Sequence, residues 1–174
     1  DLTDRLVDLV NEGVDCAVRI GELVDSSLVR RKLGEMRRVV IASPAYLETH
    51  GVPRKPADLS AHNCLSLGQQ RGWALRSSPG GEVTPVKVAG RFECNDGSVL
   101  HEWVLAGKGV AWRSLWEVGD DLRKGRLVSL LDEFAPPPMG IYAIFPQGRQ
   151  LPLRVRLFVD QLKESYADAG YWER

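Results

Sequence analysis

Cysteine is scarce in this sequence: Cys16, Cys64 and Cys94 are the three in 174 residues, and no two of them form a CxxC pair. An odd, unpaired set argues against a disulfide scaffold and suits reduced thiols in a cytoplasm. Charge of one sign is not in excess either, since 23 Lys and Arg balance 23 Asp and Glu. A nucleic-acid-binding domain standing alone carries a basic surplus, so direct phosphate binding is not expected. The three histidines, His50, His62 and His101, sit in separate segments without metal-ligand spacing. His62-Asn63-Cys64 has no second pair to complete a zinc site, and its plainer reading is a packing histidine beside a buried thiol. No apolar run is long enough to cross a bilayer, and none opens the chain as a signal peptide would. The expectation is a soluble cytoplasmic chain with no membrane partner and no cofactor. A GxSxG elbow, a P-loop and a GxGxxG after a strand are all missing, and Gly80-Gly81 falls in a turn. Nothing in the sequence asks for an enzymatic reading.

What is present is an ordinary globular composition, 44% hydrophobic and 26% charged, long enough for one large domain or two small lobes. Leu2, Leu6, Leu9 and Val10 share a helical stripe that Gly13 ends. Val14 to Ile20 alternates as a strand and stops at Gly21. Leu28–Leu33 and Arg37–Ala42 read as further strands, and Ser43-Pro44 as an N-cap with proline at the first position of a short helix. One helical turn is expected at Ala57–Leu59. Short strands follow at Cys64–Leu67, Trp73–Leu75, Thr84–Val88 and Gly90–Glu93, with a turn at Ser78-Pro79-Gly80-Gly81. Asn95-Asp96-Gly97-Ser98 is a capping cluster that opens a helix through Trp103 and Val104 to Gly107. Gly109–Trp112 reads as a strand, Trp116–Lys124 as a helix stopped by Gly125, and Leu127–Leu131 and Ile141–Phe145 as strands. A last helix, Pro152 to about Ala167, is expected to bury Val155, Phe158, Val159 and Leu162. Alternating strands and helices argue for an α/β architecture in two lobes.

Several stretches, in order, resemble the segments of one known domain. Asp4-Arg5-Leu6-Val7-Asp8-Leu9, Glu12-Gly13-Val14-Asp15 and Ala17-Val18-Arg19-Ile20-Gly21 resemble its start. Ala42-Ser43-Pro44-Ala45-Tyr46-Leu47, Gly51, Pro53, Pro56-Ala57-Asp58-Leu59 and His62-Asn63-Cys64-Leu65 continue it. Asn95-Asp96-Gly97, Ala106-Gly107-Lys108-Gly109-Val110-Ala111, Asp121-Leu122, Gly125-Arg126-Leu127-Val128, Ile141-Tyr142-Ala143 and Arg156-Leu157-Phe158-Val159 complete it. Each piece alone is weak, whereas their order and spacing together are specific, and the domain they resemble is the effector-binding domain of LysR-type transcriptional regulators.

The resemblance implies a two-lobe fold like the type II periplasmic binding proteins, with two crossover strands and a small-molecule effector in the cleft between lobes. Residues 1–41 plus 146–174 would form lobe I and 42–145 lobe II. The crossovers would be Arg37–Ala42 outward and Met139–Phe145 returning. The family's opening strand and helix, and its winged helix-turn-helix, have no counterpart in this sequence. DNA binding would therefore belong to a domain encoded upstream, within roughly a hundred residues. The resemblance also implies a homodimer, the commonest soluble oligomer.

Four segments place polar groups where a strand ends or a helix begins: Arg19-Ile20-Gly21, Ser43-Pro44, Asn95-Asp96 and Trp112-Arg113. Ligands of open α/β sheets bind beyond the carboxyl ends of strands, where helix N-termini offer free N–H groups. Ser43 fits best as the holder of a carboxylate or another small anion, and the alternative is that it only caps its helix. Asn95 and Asp96 stand between the same two readings. Arg19 could pair with the anion or with a protein carboxylate, and Trp112 could line the pocket or pack the core. Beside the regulator's sensor, two other classes remain: a transport system's solute receptor with the same fold, which needs export, and a small-molecule enzyme on a related scaffold.

Overall fold

The computed structural model describes residues 9, 11–21, 28–68, 70, 72–147 and 151–167. Apart from Leu9, which is buried, the helix expected over Leu2–Val10 lies outside the described residues. The first strand, β1 (Ala17–Ile20), is shorter than the alternating stretch that announces it, and its Val18 and Ile20 are exposed. Strand β2 (Leu28–Met36) runs three residues past its expected end and buries Leu33 and Met36, while Arg30, Arg31 and Lys32 stay in water.

Beyond Met36 the chain enters a second compact unit built on Arg37–Pro137. Strand β3 (Arg38–Ala42) opens it, and Val40, Ile41 and Ala42 are buried in succession because side chains on both faces meet apolar partners. Helix α1 (Pro44–His50) follows, then a 3₁₀ segment at Pro56–Ala61 where a single turn is expected. Strands β4 (Ser66–Leu67), β5 (Gly72–Arg76), β6 (Val83–Lys87) and β7 (Glu93–Cys94) come next. Helix α2 (Gly97–Leu105), strand β8 (Ala111–Ser114), helix α3 (Leu115–Arg123) and strand β9 (Val128–Leu130) complete the unit. Gly107 and Gly125 follow α2 and α3 with φ of 69°, the left-handed turn that the sequence reading assigns to them. A 3₁₀ turn at Asp132–Phe134, which no motif announces, leads out.

Strand β3 is central, with β8 and β9 antiparallel on either side. Its pairing puts Val40 opposite Trp112 and Val39 opposite Arg113. Because successive residues alternate, Arg38, Val40, Trp112 and Ser114 share one face, and Val39, Ile41, Ala111 and Arg113 the other. The first face packs on Tyr46, Leu59, Trp73, Leu75 and Phe134. The second packs on Leu100 and Val104 of α2, Val118 of α3 and Leu127.

The chain returns to the first unit, Asp1–Met36 with Pro138–Trp172. Strand β10 (Met139–Pro146) lies between β1 and β2, antiparallel to both, with a bulge between Ile141 and Tyr142. Helix α4 (Leu153–Ala167) covers β2 and sets Val155 and Val159 into a core with Leu33, Met36, Ile141 and Ala143. Phe158, expected in that core, is 53% exposed. It sits one residue from Val159, about 100° around the helix, and points off the packed stripe.

The units meet at Met36–Arg37 and Pro137–Pro138, against the expected boundaries of 41/42 and 145/146. Hydrogen bonding explains the difference. The expected outward crossover, β3, is paired wholly within the second unit, and the expected return, β10, wholly within the first.

Candidate functional site

The proposed anion holder comes first. Ser43 follows the apolar run of β3 and takes the extended N-cap conformation before α1, with Pro44 at the first helical position. Its carbonyl accepts from the N–H groups of Tyr46 and Leu47. Its side chain makes no capping bond, although Ser43 is only 3% exposed and its Oγ is buried without a partner. A buried hydroxyl left unpaired costs about 1–3 kcal/mol. Pro44 is exposed and has no N–H to offer.

Asp96 behaves differently. Its carboxylate accepts from the N–H groups of Ser98, at 2.8 Å, and Val99, at 3.2 Å. This is the capping alternative, realised at the start of α2, and both Asn95 and Asp96 are exposed.

Trp112 and Arg113 are interior residues, not rim groups. Arg113 is 3% exposed; its Nη2 donates to Glu117 Oε1 at 2.7 Å and to the Gly97 carbonyl at 3.3 Å, tying the starts of α2 and α3 to β8. Glu117 also accepts from the Ser114 N–H, so the pair closes a capping box. Arg113 Nε and Trp112 Nε1 are buried without partners.

A residue that the sequence reading placed only within a strand stands beside them. The Arg38 guanidinium lies over the Trp112 indole, 3.8 Å from the ring centroid. Its Nη2 donates to the Trp112 carbonyl at 3.0 Å and to Gln70 Oε1 at 3.4 Å, and its Nε is buried with no partner. Burial lowers its pKa to about 10, which leaves it charged at neutral pH. The one signal in the sequence was an arginine opening an otherwise apolar strand, and its stacking partner is 74 residues away.

In the first unit, Arg19 lies opposite Tyr142 and has a buried Nη2 without a partner. Ile20 is exposed, and the Gly21 N–H donates to the Gly140 carbonyl. In the second unit Arg38 and Trp112 thus share one face of the β3–β8 pair, Arg113 lies on the other, and Ser43 follows the end of β3. Arg19–Gly21 belong to the other unit.

The remaining reactive-looking groups have structural partners. Tyr46 Oη accepts from the Asn63 N–H and is hydrogen-bonded with His62 Nδ1 at 3.2 Å, which fixes α1 to the following segment. Burial and the neighbouring His50 lower the His62 pKa, which favours its neutral ring. Cys64 Sγ faces the Leu59 carbonyl, and burial pushes its thiol up to about 12, where it is inert as a nucleophile. Among the described residues no group of three or more His, Cys, Asp or Glu could hold a metal. No helix among them is long and apolar enough to cross a membrane.

The second unit is a layered α/β scaffold with buried hydrogen-bond donors left unpaired at Ser43, Trp112 and Arg113. The family model for the LysR substrate binding domain matches residues 1–167, and the chain belongs to that family. It is 37% identical to the HTH-type transcriptional regulator DmlR of Escherichia coli over 172 residues, 97% of this chain and 55% of that one. It is also 37% identical to the Escherichia coli HTH-type transcriptional activator AaeR, over 94% of this chain and 53% of that one. Among solved structures, the CrgA regulatory domain of Neisseria meningitidis superimposes with a TM-score of 0.81 at 33% identity, covering 94% of this chain and 81% of that one. The full-length Vibrio cholerae virulence activator AphB gives 0.81 at 28% identity, covering 95% and 57%. The fold is the two-lobe, periplasmic-binding-protein-like α/β fold of LysR regulatory domains. This family is one of regulatory domains of transcription regulators, not of enzymes. The chain spans about half the length of the curated relatives it matches.

Proposed function

We propose that this chain is the effector-sensing and oligomerising part of a LysR-type transcription regulator that works in the cytoplasm. In this reading it binds a small organic anion, and the bound state alters DNA binding by a winged helix-turn-helix domain elsewhere in the protein. The observation that carries the reading is the family match, which runs over residues 1–167 without a gap in domain type. The orphaned polar atoms supply the chemistry: Ser43 Oγ and Trp112 Nε1 in the second unit, and separately Arg19 Nη2 in the first, are donors that a ligand oxygen would satisfy. Ile20, Gly21, Pro44, Asn95 and Asp96 offer no buried orphaned side-chain atom, and Asp96 is occupied as a cap. A solute receptor of a transport system would use the same fold, but the curated relatives are transcription regulators.

Titration calorimetry of this chain with a panel of small carboxylic acids tests the reading. One acid should bind with a stoichiometry of one per chain. Ser43→Ala should weaken that acid by roughly tenfold, the equivalent of one hydrogen bond of about 1.4 kcal/mol. A panel that gives no binding, or a hit unaffected by Ser43→Ala, would remove Ser43 from the site. The dimer is checked separately by sedimentation, where a monomer at tens of micromolar contradicts it.

A further inference from the structure

The donors around β8 are out of balance with their acceptors, and Arg38 is the centre of the imbalance. Arg113 has a carboxylate, Glu117, at 2.7 Å. Arg38 has no carboxylate within hydrogen-bond reach: among the described residues its hydrogen bonds go only to two neutral oxygens, those of Gln70 and Trp112, and Glu117 acts on it only through its charge. Two guanidiniums therefore share one carboxylate, and the surplus positive charge rests on a side chain whose Nε is buried. Charges taken out of water are ordinarily paired, because an uncompensated one costs several kcal/mol. The orphaned atoms beside it, Arg38 Nε and Trp112 Nε1, are both donors, so a second donor cannot satisfy them and an acceptor can.

Stacking on Trp112 holds the guanidinium plane in one orientation, since the indole covers its face and the two bonds from Nη2 fix its edge. Both Nη2 hydrogens are taken, so an incoming carboxylate would meet the orphaned Nε–H, through a charge-assisted bond stronger than one to a neutral amide. From this geometry we infer that Arg38 is the residue that selects a carboxylate as the effector's anionic group, with Trp112 as its positioning partner. The inference rests on the ligand-sensing reading above and names the residue that confers the ligand's charge preference.

The test pairs each acid with its amide: acetate with acetamide, succinate with succinamide and benzoate with benzamide, titrated into the 174-residue chain by calorimetry. At least one acid should bind at least tenfold more tightly than its amide. Arg38→Gln should cut that acid's affinity at least tenfold while leaving the far-ultraviolet circular dichroism unchanged. Arg38→Lys, which keeps the charge and loses the Nε–H, should recover only part of it and also guards against a folding failure of the glutamine variant. Acid binding that survives both substitutions overturns the role of Arg38 and leaves the ligand-sensing reading standing. Amides that bind as well as their acids overturn the charge preference alone. Binding by neither acids nor amides counts against both.

Discussion

Ser43 and Asp96 hold the same position in their helices and do different things there. Asp96 satisfies two N–H groups of α2, whereas the Ser43 hydroxyl satisfies none. Asp96→Ala should therefore cost about 1 kcal/mol of stability, the ordinary loss of a helix cap. Ser43→Ala should cost clearly less, because it removes a buried group that is already unpaired. Urea denaturation with unchanged slope checks both, and equal losses at the two positions would mean that Ser43 caps α1 after all. The difference was not legible in the sequence. A cap such as Asp96 is a local bond between residues two and three apart, so the motif Asn95-Asp96-Gly97-Ser98 discloses it. Whether Ser43 finds a partner depends on what the fold brings to it, and no local pattern contains that.

At the scale of elements, helices and strands followed from periodicity and stop signals, and their partners did not. Helix α2 runs between its Asp96 cap and the turn at Gly107 as the residues dictate. Helix α4 also forms where it is expected, yet Phe158 faces outward, because a hydrophobic residue next to the stripe cannot be told from one within it by spacing alone. The pairing of Arg38 with Trp112 depends on the register of β3 against β8, and two strands separated by some seventy residues carry no sequence mark of their register. A matched pair of truncations tests this view of the helices. Leu100→Ala in α2, which empties a fully buried position between α2 and β3, should cost about 2–5 kcal/mol. Phe158→Ala should cost less than about 1 kcal/mol, well below the loss for a core phenylalanine. Thermal melting of the two variants separates them, and a Phe158→Ala loss as large as that of Leu100→Ala would place Phe158 in a packed interface.

For the whole molecule, the order of motifs along the chain was enough to fix the family, since each weak match constrains the next. The unit boundaries were displaced by a strand at each crossing. The sequence marks where a strand is, whereas hydrogen bonding to β8 and β9, or to β1 and β2, decides which unit owns it. If the folded chain carries a site for a small organic anion, as proposed, a ligand that binds only the folded state must raise its stability. Calorimetric melting of the 174-residue chain with and without saturating carboxylate measures this directly. At a hundred times its dissociation constant, an acid that fits should add about 2.7 kcal/mol and raise the melting temperature by several degrees. Its amide should leave the melting temperature unchanged. A melting temperature that no acid in the series moves, or that acid and amide raise equally, would contradict the claim.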